Sequence, residues 1–195
     1  MTDKPAALLQ LFRQTCQFSP EEMSDILQLW RHPLELKRNE YLSTPDRRDH
    51  HIFFVISGVL RIYCVDRQGE EVCLGFSYDN SVTGSFPSLI RGKPSEIYVQ
   101  ALSQCQLLGA LWEDFTQLAE RMPKLERWRR IFSEETLLGR MDREIEMLTL
   151  PAEQRYERLL QRSPHLFQFV PLKYIASYLG IKPETLSRIR RNYAK

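Results

Sequence analysis

Apolar residues at positions 8, 9, 12 and 16 recur at a helical spacing across residues 5–16. Ser19-Pro20-Glu21-Glu22 then reads as a helix start. Serine is a good N-cap, proline fits the first turn, and acids suit the positive end of the helix dipole. Met23, Ile26, Leu27 and Trp30 continue the buried face. From about Leu34 to Leu111 the signal changes to short β-rich runs, at 52–57, 59–65, 71–76, 97–102 and 106–111. Asp66-Arg67-Gln68-Gly69 supplies a hairpin turn with glycine at its end. Many short strands with regular turns predict an antiparallel barrel or jelly roll.

From Trp112 the pattern is helical again, and Pro123 opens a long helix to about Leu148. At the rise of an α-helix it is on the order of 35–40 Å long. Ile131, Leu138 and Ile145 recur every seven residues, and Met141 and Leu148 follow the intervening seam, which Glu134 breaks. Such a stripe packs on its own barrel or on a partner helix. A helix that outruns a small barrel favours the partner. Thr149-Leu150-Pro151 is a candidate hinge, and 152–162 a short amphipathic helix ended by Ser163-Pro164.

The last 25 residues read as helix, tight turn, helix. Ala176 is small where two backbones cross, and Gly180 falls where a left-handed turn is needed. Ile175, Leu179, Ile181, Leu186 and Ile189 are the apolar positions that pack the pair. The second helix is expected to begin at Lys182 or Pro183, and its outward positions carry Glu184, Ser187, Arg188 and Arg191. That is the layout of a DNA-reading helix-turn-helix. The fold class expected is α+β: a β-roll with N-terminal helices (1–122), a long helix (123–149) and a helix-turn-helix domain (150–195).

Charge sharpens this division. The chain carries +2 overall, but residues 150–195 hold nine Lys or Arg against three Asp or Glu, leaving −4 for the rest. A basic tail on an acidic body suits a polyanion partner for the tail, although exposed helices are often basic. The longest apolar run, Ile52-Phe53-Phe54-Val55-Ile56, is far too short to span a bilayer, and no secretion signal is evident at the N-terminus. Cys16, Cys64, Cys73 and Cys105 have no metal-site spacing, so a reducing cytoplasm is the expected compartment.

This element order, together with Phe53-Phe54-Val55-Ile56-Ser57-Gly58-Val59-Leu60-Arg61-Ile62-Tyr63 and Asp66-Arg67-Gln68-Gly69-Glu70-Glu71, resembles the Crp/Fnr family of bacterial transcription regulators over nearly the whole chain. The resemblance implies a homodimer in which a cyclic-nucleotide-binding-like β-roll is joined by a dimerisation helix to a winged helix-turn-helix. In such proteins an effector in the roll reorients the DNA modules. RNA polymerase is a further partner to expect. The dimer helix would be carried by Ile131, Leu138, Met141, Ile145 and Leu148, and two reading helices imply a near-palindromic site on double-stranded DNA.

The resemblance fails at three places. Nucleotide-binding members cradle the phosphate between Gly-Glu and Arg-Ser-Ala. Here those ends are Gly84-Ser85 and Ser95-Glu96-Ile97, so the cation is missing and a carboxylate stands beside the phosphate position. Like charges in a partly dry pocket disfavour binding by several kcal/mol, on the order of a thousand-fold. Arg91 and Lys93 could rescue an anion site, but as loop charges they read more simply as solvated. Cyclic AMP is therefore not expected, and the effector is another small molecule or none. Next, Cys16 is alone near the N-terminus, so no iron–sulfur cluster is expected. Cys64 and Cys73 are placed opposite each other across the hairpin as two buried thiols. Finally, the β-wing of longer members has no residues here, which places the reading helix near Lys195.

Within the reading helix, Arg188 can bond both guanine acceptors in the major groove, Glu184 can accept from cytosine, and Ser187 suits base or phosphate. In the resembled family the Glu and Arg of this helix read bases, and Glu184 and Arg188 match them. Lys182, Arg190, Arg191 and Lys195 read as phosphate contacts. The bland alternative for Glu184 and Arg188 is a surface i,i+4 ion pair.

Two other classes compete with this reading. A cupin-like metal enzyme needs clustered His and carboxylate ligands, but His50 and His51 would point to opposite faces of a strand, and His32 precedes the barrel. No metal, cofactor or catalytic residue is expected. A ligand-binding or protein-interaction module without specific DNA binding is the other, against which the basic density after Lys182 argues.

Overall fold

The computed structural model describes residues 4–193. The chain divides into two compact units, one of residues 1–62 and 76–135, the other of 63–75 and 136–195.

The first unit opens with helices α1 (Lys4–Arg13) and α2 (Pro20–Leu29). The start of α2 is a complete capping box: the Ser19 hydroxyl accepts from Glu22 N–H at 3.2 Å, and Glu22 Oε2 accepts from Ser19 N–H at 2.7 Å. Eight strands follow: β1 (His32–Leu36), β2 (Tyr41–Ser43), β3 (His51–Ser57), β4 (Leu60–Val65), β5 (Glu71–Ser77), β6 (Val82–Thr83), β7 (Tyr98–Ala101) and β8 (Cys105–Leu111). They form two four-stranded sheets, ordered β1-β8-β3-β6 and β2-β7-β4-β5. That double order is a jelly roll, as the run of short strands predicted. Alternation drives it. Leu36, Val55, Leu60, Val99, Ala101, Cys105 and Leu107 turn inward to one cluster.

A second cluster joins Leu8, Phe12, Ile26 and Trp30 of the first helices to Ile52 and Phe54, and to Phe115, Leu125 and Trp128 of α4 (Trp112–Arg121) and α5 (Pro123–Thr149). Phe12 and Trp128 rings lie 4.6 Å apart, and Trp128 stacks on Phe132 at 5.3 Å. The first half of α5 is thus pinned in this core, with Ile131 half-buried.

Two local readings need correction. Inside the stretch read as strands lies a short helix, α3 (Phe86–Arg91), bracketed by Pro87 in its first turn and left-handed Gly92 (φ 66°) as its C-cap. His32 does not precede the barrel. It opens edge strand β1 opposite Gly109, and its ring lies 4.8 Å from that of His51. Burial, then the neighbouring His32, lowers the His51 pKa.

The second unit holds the β4–β5 hairpin tip, the latter half of α5, and helices α6 (Ala152–Arg162), α7 (Leu166–Phe169), α8 (Leu172–Tyr178) and α9 (Pro183–Tyr193). Its core is Tyr156, Leu159, Leu166, Val170, Ile175, Ala176, Leu179, Leu186 and Ile189.

Candidate nucleic-acid interface

The turn between α8 and α9 is built by its hydrogen bonds. Ile181 N–H donates to Ala176 C=O at 3.0 Å and Gly180 N–H to Ser177 C=O at 3.0 Å, the Schellman pattern that ends α8. Gly180 has φ +64°, and a Cβ there would collide with Met147 Cε of α5. The left-handed backbone is what favours glycine here, and an added Cβ would in addition push the Met147 methyl aside. The Lys182 carbonyl accepts from Leu186 N–H at 3.1 Å, so α9 starts with Pro183 at its first position.

Ile175, Ala176, Leu179, Leu186 and Ile189 are buried between the helices, and Ile181 is half-buried. Tyr156 of α6 meets Tyr193 of α9 edge-on at 5.2 Å. Against that support the outward face of α9 is open. Lys182, Glu184, Ser187, Arg188 and Arg191 are all exposed, and Arg190 is half-buried. Among the described residues Glu184 and Arg188 form no ion pair with one another. Lys195 lies outside the described residues.

The long helix shows two faces in this unit. Leu138, Met141, Ile145 and Leu148 are 59%, 48%, 55% and 78% exposed, and Leu137 joins them at 59%. The opposite face is engaged. Glu146 is buried and receives Arg162 at 3.3 Å and Arg158 at 3.6 Å, fixing α6. Met147 packs on the Gly180 turn.

The cassette ends lie in the first unit. Gly84 (φ +148°) leads to Ser85, which is 1% exposed. Ser85 and Ser95 hydroxyls share a hydrogen bond of 2.7 Å. Asp49 stands among these serines: its carboxylate accepts from Ser43 at 2.6 Å, and its N–H donates to Ser88 Oγ at 3.0 Å. Burial raises the Asp49 pKa, opposed by bonds from Ser43 and Ser85. Glu96, Arg91 and Lys93 are all exposed. A cavity of about 280 Å³ opens elsewhere in this unit, lined by Leu8, Leu27, Trp30, Leu34, Ile56 and Leu108 among others, and no cassette residue lines it.

Comparison with known proteins agrees with this architecture. Residues 33–122 match the cyclic nucleotide-binding domain family. The chain is 26% identical to the transcriptional activator protein Anr of Pseudomonas aeruginosa, over 96% of this chain and 84% of that one. Among solved structures it resembles FixK2 from Bradyrhizobium japonicum, with a TM-score of 0.73 and 16% identity over 83% of each chain. It also resembles the c-di-GMP-responsive global regulator CLP of Xanthomonas campestris, with a TM-score of 0.70 and 17% identity over 90% of this chain and 92% of that one. Over most of its length the chain thus has the fold of these solved structures.

In the roll, the polar groups at the cassette ends are bonded to one another and to a neighbouring carboxylate. The two serine hydroxyls bond each other, and the carboxylate turned among them is Asp49, not Glu96 as the resemblance implied. Asp49 was missed because it lies 35 positions before Gly84 in the chain. The four cysteines are free thiols. Cys64 and Cys73 do not face each other: the pairing closed by Asp66 N–H to Glu70 C=O puts Val72 opposite Cys64. Among the described residues no three His, Cys, Asp or Glu cluster to hold a metal, and no helix is long and apolar enough to cross a membrane.

Proposed function

We propose that this chain is a sequence-specific DNA-binding transcription regulator that works as a homodimer in the cytoplasm and is not an enzyme. The observation that carries this reading is the exposed row Glu184, Ser187, Arg188 on a helix seated over a buried helix-turn-helix core. Arg188 reads a guanine, Glu184 a cytosine, and Ser187 a base or phosphate. Lys182, Arg190, Arg191 and Lys195 hold the backbone, whose contacts position without specifying. Likeness to a transcriptional activator over 96% of the chain supports the same assignment.

Dimerisation is read from α5. A row of exposed Leu138, Met141, Ile145 and Leu148 at heptad spacing is costly in water and matches itself on a second copy. Ile131, half-buried at the start of the same heptad row, leads into this seam. Paired readers call for a near-palindromic site, and RNA polymerase remains an expected further partner. The roll, with Gly84, Ser85, Ser95 and Glu96 in its cassette, does not take cyclic AMP in the usual way. It answers to another small molecule or to none.

Selection of duplexes by the purified protein from a randomised library, followed by anisotropy titration at several salt concentrations, tests the reading. The expected outcome is an enriched, two-fold symmetric motif bound at least about a thousand-fold more tightly than scrambled DNA. Equal binding of all duplexes would leave a non-specific module and overturn it.

A further inference from the structure

Residues of the β4–β5 hairpin bond to one side chain of α8 and two of α5, one of which also reaches the helix-turn-helix, all in the second unit. Strand β5 is the outer strand of its sheet, with its outer edge turned away from β4. Cys73 N–H donates to Ser177 Oγ at 2.9 Å, and Ser177 Oγ donates to Glu71 C=O at 3.2 Å. Ser177 thus stands in for a neighbouring strand. Arg140 Nη1 donates to Leu74 C=O at 3.0 Å.

Arg143 joins the three elements. Its Nη2 donates to Cys73 C=O at 3.3 Å and to Tyr178 C=O at 2.9 Å, and its guanidinium lies 4.5 Å from the centre of the Tyr178 ring. Tyr178 is the last residue of α8, where helix carbonyls lack intrahelical donors and the dipole favours a cation. One planar cation therefore satisfies a sheet edge and a helix end at once, a task for which an ammonium is poorly shaped. The clamp touches α8 and leaves the outward face of α9 open, so it holds the reader without covering it.

We propose that Arg143, seconded by Ser177, is a positioning residue for DNA reading: it fixes the helix-turn-helix on α5 and on the hairpin, so that two readers meet a site at a set angle. This rests on the DNA-binding function proposed above.

The test compares the full-length native chain with Arg143→Ala, Arg143→Lys and Ser177→Ala on two duplexes, the one selected by the native protein and its scrambled counterpart. Arg143→Ala is expected to reduce discrimination between the duplexes about tenfold while leaving the salt slope unchanged, since Arg143 meets carbonyls and not phosphate. Arg143→Lys should recover part of that loss. Ser177→Ala, which removes one hydroxyl and no charge, should lose less discrimination and speed hydrogen exchange at the Cys73 amide. A flattened salt slope would make Arg143 a phosphate contact and overturn the proposal. So would equal loss on both duplexes in step with lowered thermal stability, or unchanged discrimination in both alanine variants. If the native chain itself bound both duplexes alike, the DNA-binding function would fail first, which is a separable result.

Discussion

The outward face of α9 and the cassette of the roll are both rich in polar side chains, yet they are opposite kinds of surface. On α9, Glu184, Ser187 and Arg188 stand exposed on a helix whose other side is buried, and the first and last of these form no pair with one another. In the cassette, Ser85, Ser95, Ser43 and Asp49 are bonded among themselves. A polar group left open on a rigid support is available to a partner at little ordering cost. Polar groups that satisfy one another are not, because a ligand must first displace bonds already made. In this chain the polar groups of the cassette are bonded to one another, whereas those on the outward face of α9 are open.

The comparison can be broken or sharpened in order of expected effect. Ile145→Glu places a charge in the exposed seam of α5. It should convert a dimer to monomer in sedimentation and lower affinity for a palindromic duplex by about a hundred-fold or more, because the second half-site loses its tether. A monomeric native chain would remove the seam from the argument. Arg188→Ala should weaken specific binding by about 1–3 kcal/mol and relax one base preference, whereas Lys182→Ala should weaken all duplexes alike and flatten the salt slope by about one. The same loss from Arg188→Ala on selected and random DNA would demote Arg188 to a backbone contact. Gly180→Ala imposes a Cβ on a left-handed residue against Met147 and should destabilise by about 1–2 kcal/mol in denaturant titration, with DNA binding lost before the roll unfolds.

Smaller effects belong to the roll. Ser95→Ala removes one partner of buried Ser85 and should cost about 1 kcal/mol without altering DNA affinity, since the cassette is proposed to be closed to ligand. Acid should act on the roll in two opposite directions. The folded pKa of His51 lies below its usual value, so the stability it contributes is present above about pH 6.5 and is lost as pH falls through the window between the unfolded and folded values. The folded pKa of Asp49 is raised, so burying its charge costs stability at neutral pH, and that cost is relieved as pH falls through its folded value. His51→Gln should flatten the first limb and Asp49→Asn the second, each measured by thermal melting against pH.

Much of this was legible from residue pattern alone, for local reasons. The Ser19 capping box, the Gly180 turn, the extent of the long helix and the helix-turn-helix core are set by spacings of three to seven residues, which any single helix or turn expresses. The jelly roll was legible as a class because alternation and turn residues recur along its strands. Its edges were not. His32 reads as loop because a strand's partner, here β8, is distant in the chain. Helix α3 was lost among strands because six residues are too few for periodicity, although Pro87 and Gly92 bracket it. The register that separates Cys64 from Cys73 depends on which residue closes the hairpin, a choice made by Gly69 in its left-handed conformation (φ 85°).

What the sequence by itself determined was therefore the features written in near neighbours: which longer segments are helices, which face each turns inward, and which charges α9 turns outward. What only the tertiary structure decided was the pairing of groups far apart in the chain. Asp49 meets Ser85, and Arg143 meets both Cys73 and Tyr178. Hydrogen bonds of this kind are short-ranged and directional, so they exist only once packing has brought two distant segments within about 3 Å. No local pattern can carry that information.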